Sequence, residues 1–347
     1  MNICMAQTTS KHILLALSKA NHTLAIVDAA TLKVTAYVPV GPDPHEVIAA
    51  ADGKTAYVSN MGDGLHELDV IDLVNKKALP SVDTKSFIAL HGLDFAGGKV
   101  WFTAQGAKSV GRYDPAVGQI DWSLGTGQDK THMIVVKPDG SEAYTTNVES
   151  GTVSILTYTE SKQPFGPLAG QGMPPATGVR AGMPPALNPP PSHRTHMDWE
   201  QILIPVSKGS EGFDVSPDGK ELWTASAEDG SIAVIDIAAK KVTTTIDAKA
   251  MGANRLKISP DGKLAIVSSL RTGDLFIYDV ATRKEIKKLN VGHGAAGILI
   301  DTDASRAFIG CTADNYVAVV NLKTFTVTGH IDVGGNPDGL AWANIAQ

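Results

Sequence analysis

With 347 residues, 43% of them hydrophobic and 19% charged, the chain has the apolar content for a large packed core and is excluded from the intrinsically disordered class. Thirty basic against thirty-six acidic side chains leave a net charge of -6, which argues against nucleic acid as a partner. Cys4 and Cys311 are the only cysteines, too few for a disulfide framework or a Cys-rich zinc site.

The N-terminal stretch has a short apolar run, Ile13 to Leu17, without the basic n-region or the h-region length of a signal peptide. The chain as given reads as cytoplasmic, and as extracytoplasmic if it is a trimmed mature form. No window approaches the ~18 to 20 apolar residues of a membrane-spanning helix, so no membrane span is expected.

In chain order, three β-rich runs come first: HILLALS, TLAIVDAAT and VTAYVPV. A turn then recurs at Asp52-Gly53, Gly97-Gly98, Asp139-Gly140, Asp218-Gly219 and Asp261-Gly262, with a degenerate copy at Asp303-Ala304. Asp218, Asp261 and Asp303 are 43 and 42 residues apart, and Asp52 and Asp139 are 87 apart, or two units. Each unit carries four short runs of β-branched and aromatic residues, with the positive-φ pair opening a tight hairpin. Four antiparallel strands per ~42 residues is the unit of a β-propeller blade.

The expected fold is therefore a single all-β domain, a seven-bladed propeller with blades at 44–87, 88–130, 131–210, 211–252, 253–294 and 295–336. The seventh blade takes its inner strand from Pro337 to Trp342 and its outer three from the N-terminal runs, which closes the ring and removes its open edge. The third unit is lengthened by a Pro- and Gly-rich insertion at 160–199, expected on the face opposite the site described below. It is a candidate contact for a partner protein or subunit, with a disordered linker as the alternative.

The strings Ala56-Tyr57-Val58-Ser59-Asn60 and Ala143-Tyr144-Thr145-Thr146-Asn147, each after an Asp-Gly turn, resemble the YVTN repeat family. That family is similar to lactonase-like and nitrous-oxide-reductase-like propellers. The resemblance covers nearly the whole chain outside the insertion. It implies the fold, but the family holds surface proteins, binding proteins and enzymes alike and so implies no single activity.

In a propeller, one repeated position at the start of each inner strand becomes a ring of side chains around the axis. Seven residues before the turn aspartates stand His45, His132, Glu211, Asn254 and Ala296; the shorter second unit supplies His91 and the closing unit Asp338. Three histidines on consecutive blades followed by a carboxylate suit a divalent first-row metal ion, Zn, Fe, Mn, Ni or Cu. The expected ligands are His45, His91, His132 and Glu211. Glu211 doubles as a general base, with Asp338 and His293 as further acid–base groups.

Asn254 and Arg255 are placed to hold a small-molecule substrate. Arg255 stands where four other units have Gly and is placed either to reach a substrate carboxylate or to pair with a neighbouring acid. Ser59, Asn60, Gln105, Asn147, Ser226, Arg271 and Cys311 are the expected pocket wall. Two readings stay open: a metal-dependent hydrolase or lyase acting on a small polar organic substrate, and a noncatalytic binding propeller whose polar ring hydrates the channel. No phosphate-binding glycine loop, Gly-x-Ser-x-Gly elbow, His-Glu-x-x-His or Cys-x-x-Cys-His is present.

Overall fold

The computed structural model describes residues 10–62, 64–161 and 196–346. Twenty-eight strands, β1 to β28 in chain order, form seven four-stranded antiparallel sheets, with no helix among the described residues. The innermost strands are β4 (Pro44–Ala49), β8 (Leu90–Ala96), β12 (Thr131–Val136), β16 (Ser210–Val215), β20 (Ala253–Ile258), β24 (Ala295–Ile300) and β28 (Pro337–Ala346). Each packs against the next, and β28 packs against β4, so the ring is closed. Among the described residues no helix is long and apolar enough to cross a membrane.

The turn chemistry explains the repeat. At all five places the residue after Asp has a positive φ and donates its N–H to the carbonyl three residues back: Gly53, Gly140, Gly219, Gly262 and Ala304. The Asp carboxylate accepts the N–H two residues on, at Lys54, Ser141, Lys220, Lys263 and Ser305. Second strands such as Thr55–Asn60 and Leu264–Ser269 are buried on both faces, between neighbouring sheets. Outermost strands alternate exposed and half-buried residues, as at Lys241–Ile246.

Closure follows the expected scheme. β28 pairs with β1 (Ser10–Ser18) from Ser18↔Pro337 to Ser10↔Ala346, and the sheet order is β28-β1-β2-β3, where β2 is Thr23–Asp28 and β3 is Lys33–Pro39. In the third blade, β14 (Thr152–Ser161) and β15 (His196–Pro205) are paired out to Ser161↔His196. Residues 160, 161 and 196–199 of the insertion thus belong to these strands. Its flanking strands end on the face opposite the inner-strand starts, and residues 162–195 lie outside the described residues.

Two backbone features repeat in all seven blades and shape the centre. Each inner strand carries a one-residue bulge in its pairing with the second strand, and the bulge falls at His45, His91, His132, Glu211, Asn254, Ala296 and Asp338. A bulge bends a strand and re-aims a side chain. Two residues earlier, Asp43, Ala89, Lys130, Gly209, Gly252, Gly294 and Asn336 all have a left-handed φ, between 49° and 76°. Their carbonyls accept N–H bonds of 2.8 to 3.1 Å from Met61, Gln105, Val148, Ala227, Leu270, Thr312 and Lys19. These donors form a second ring, one residue beyond each second strand.

Candidate functional site

The seven bulge residues line one pocket of 380 Å³ at the mouth of the channel. Lys19, Met61, Leu270 and Thr312 from the second ring line it too, as do Lys130 and Asn336 from the left-handed positions. Second-strand hydroxyls tie the bulges of adjacent blades together. Ser59 Oγ donates to the His91 carbonyl at 2.6 Å, Thr146 Oγ1 to that of Glu211 at 2.7 Å, Ser268 Oγ to that of Ala296 at 2.6 Å, and Thr103 Oγ1 to that of His132.

His45, His91 and His132 stand side by side. The first two ring centroids are 4.7 Å apart and the second two 3.7 Å apart, the latter pair at an interplanar angle of 32°. Lys19 Nζ donates to His45 Nε2 at 2.7 Å and is 2.9 Å from Asp338 Oδ2; His45 Nδ1 then donates to the Asp43 carbonyl at 3.3 Å. Gln105 Nε2 donates to His132 Nδ1 at 2.7 Å, which places the His132 proton on Nε2. His132 Nε2 and His91 Nδ1 are buried and have no partner.

Burial is the first cause holding His91 and His132 well below the ordinary histidine pKa. Coulombic interactions add to it, with His132, His45, Arg255 and Lys19 for His91, and with Arg255, Lys130, His45 and Lys19 for His132. Both imidazoles are neutral in the folded chain. Below the unfolded value of about 6.5 the unfolded chain takes up protons that the folded one refuses, so stability present above that pH is lost as the pH falls. Urea unfolding should show about 3 kcal/mol less stability at pH 5.5 than at pH 7.5, at ~1.4 kcal/mol per histidine. A double variant, His91→Asn with His132→Asn, should lose most of that dependence.

On the far side of the ring, Asn254 Nδ2 donates to Glu211 Oε2 at 2.9 Å, and Lys130 Nζ stands 4.0 Å from Glu211 Oε1. Glu211 keeps 20% of its side chain exposed to the pocket. Arg255 is 5% exposed and runs below this tier. It pairs with Glu46, stands 3.7 Å from Asp338 Oδ1, and donates from Nη1 to Asn254 Oδ1 at 3.2 Å. Burial pulls against its charge, but Glu46, Asp338 and Glu211 outweigh it and raise its pKa. For Asp338, burial pushes the pKa up, but Arg255, Lys19 and His45 hold it below the usual carboxylate range.

Of the two roles open to Arg255, the structure shows pairing with acids. Glu46, at the equivalent position four blades away, is its main partner and was not singled out in the sequence. The four glycines at that position are needed because a Cβ at Gly92, Gly212, Gly297 or Gly339 would collide with the backbone of the next blade.

The expected wall residues are mostly elsewhere. Asn60 is buried and donates to Asp69 Oδ2 at 2.9 Å. Asn147 is buried, bonded to Thr152 Oγ1 and Ser154 Oγ and accepting from Thr131. Ser226 donates to the Lys208 carbonyl, and Arg271 is exposed and outside the lining. Burial pushes the Cys311 thiol up to about 12, and its Sγ faces the Val291 carbonyl, so it is no nucleophile.

His293 is 83% exposed, pairs with Asp314 at 3.0 Å and is not in the lining. The lining falls one residue after the expected Asn60 and Cys311, at Met61 and Thr312, and one before the expected Arg271, at Leu270, while the expected Gln105 stands at the equivalent position and bonds His132. The last residue of each second strand packs between blades, and the next one lines the mouth at Lys19, Met61, Leu270 and Thr312. Lys19 holds that position in the closing blade and was missed.

The arrangement does not fit a first-row metal ion. Among the described residues no group of three or more His, Cys, Asp or Glu is placed to hold one. Imidazole ligands aim a nitrogen each at a common point about 2.0 to 2.1 Å away, whereas these rings lean against one another at 53° and 32°. His45 Nε2 and Asp338 converge instead on the Lys19 ammonium, a fixed positive charge where a cation would have to sit.

No protein-family model matches the chain, and no curated protein matches it in sequence. Solved structures similar to it include hydrazine synthase of Kuenenia stuttgartiensis, 16% identical with a TM-score of 0.66 over 88% of this chain and 96% of that one. A protein of Bacteroides uniformis ATCC 8492, described as a putative 6-phosphogluconolactonase, is 15% identical with a TM-score of 0.70 over 96% and 99%. One of Bacteroides fragilis NCTC 9343 with the same description is 14% identical with a TM-score of 0.70 over 99% and 100%. At these identities the shared property is the seven-bladed propeller fold, with lactonase-like neighbours among its bearers.

Proposed function

We propose that the channel mouth is the active site of a hydrolase that opens small cyclic esters, working without a metal ion. The observation that carries this reading is the convergence of all seven repeat positions on one 380 Å³ pocket. That pocket sets a carboxylate held by an amide beside neutral imidazoles and an ammonium. The lactonase descriptions of two similar structures favour the cyclic ester among hydrolysable substrates. The YVTN relationship is proposed on the Ala56–Asn60 and Ala143–Asn147 strings alone and fixes no activity.

In the proposed step, water oxygen bonds to the lactone carbonyl carbon while its proton passes to Glu211. The carbonyl π pair moves to oxygen, where Lys19 acts as donor. Collapse of the tetrahedral intermediate breaks the ring C–O bond, and the leaving alkoxide recovers the proton from Glu211. The product is a hydroxy acid, and no co-reactant is required.

A noncatalytic binding propeller is the second reading, favoured by the saturation of Asp338 by Lys19 and Arg255. Turnover separates the two. Incubation of the chelator-treated protein with γ- and δ-lactones should release acid above the buffer rate. Binding without acid release would support the second reading, and activity that appears only on adding a first-row ion would overturn the metal-free one.

A further inference from the structure

Lys130 has φ 56°, in the left-handed region, at a position where Gly209, Gly252 and Gly294 serve in other blades. A long side chain held there costs conformational energy that glycine avoids. Asp43 is accounted for at its equivalent place by contacts to Lys19 and His45, and Asn336 by the tolerance of asparagine for this region. Ala89 holds the same φ with only a methyl group, so the φ by itself assigns no role, and what sets Lys130 apart is the place of its charge. Its Nζ comes no closer than 4.0 Å to Glu211 and Glu149, and a third of its side chain is exposed in the pocket lining. Two residues on, His132 is 4% exposed and its Nε2–H is unpartnered.

We propose that Lys130, with the unpartnered His132 Nε2–H of the same pocket, receives a carboxylate on the ligand. An ammonium and a neutral N–H donor in one pocket together match the two oxygens of a carboxylate. A monoanion suits the site better than a phosphate dianion. Glu149 and Glu211 flank it, and the second ammonium, Lys19, is already matched by Asp338. The inference rests on reading this pocket as the ligand site, so its test is a binding measurement that needs no turnover.

The probes are tetrahydrofuran-2-carboxylate and the neutral tetrahydrofurfuryl alcohol, neither of which can be hydrolysed, with inorganic phosphate as a third. Calorimetry should show the carboxylate binding more tightly than the other two. Lys130→Gly should weaken it at least tenfold while the melting temperature stays level or rises by about 2 °C, and Lys130→Arg should retain it within a few-fold.

Unchanged affinity in Lys130→Gly, no binding of the carboxylate by the native protein, or tighter Lys130-dependent binding of phosphate would each overturn the proposal. Lys130-dependent carboxylate binding without opening of any lactone would sink only the hydrolase reading. Lactone opening with no effect of Lys130→Gly on binding would sink only this one.

Discussion

A chain ended at Asn336 is expected to lose cooperative unfolding, or to melt more than 10 °C below the full-length protein. The missing residues form the inner strand of the closing blade, where Leu340, Ala341 and Ala343 are buried and Trp342 packs edge-on to Phe308 and stacks on His12. Trp342 Nε1 also donates to the Ile300 carbonyl at 2.9 Å. At about 1.5 to 3 kcal/mol for each large apolar side chain, together with the ladder to β1, the loss is on the order of 10 kcal/mol. That is comparable to the whole stability of an ordinary domain.

The truncation also opens the edge of β1 and strips Lys19 and Arg255 of Asp338. Circular dichroism during heating checks this. A melting curve matching that of the full chain would mean that the ring does not depend on joining its two ends.

The blades were legible in the sequence because their turns need particular chemistry. Asp supplies the acceptor for the N–H two residues on, and the next residue must reach a positive φ, so the pattern recurs wherever the geometry does. Even Ala304 keeps the geometry without the glycine. The ring of seven was legible because a bulge falls at a fixed count from that turn. The wall was misread by one residue because strand alternation reverses direction at each step. Asn60 and Asn147 face between blades, and Leu270 rather than Arg271 faces the mouth.

Lys19 escaped because the closing unit is drawn from both chain ends, and only its inner strand had been aligned with the other blades. Ser18↔Pro337 supplies the missing register. The metal expectation rested on residue types and their place on the ring. Position on a ring does not say whether imidazoles point at a common centre or stack, nor that an ammonium from the next tier enters among them.

The second large effect is expected at Glu211. Its Oε2 is held by Asn254 and its Oε1 is open toward Lys130, so Gln in its place keeps the hydrogen bond from Asn254 through its amide oxygen and changes little of the packing. What it removes is the capacity to take a proton from water. General-base catalysis contributes about 10²- to 10⁴-fold, so kcat for lactone opening should fall by that factor.

KM should stay within a few-fold, because the donors on His132, Lys19 and Lys130 are untouched. Steady-state hydrolysis by Glu211→Gln beside the native protein is therefore the most direct test of the site assembled by the repeat. A kcat lowered at least a hundredfold with a native melting temperature is the expected result. Hydrolysis at the native rate would contradict the account.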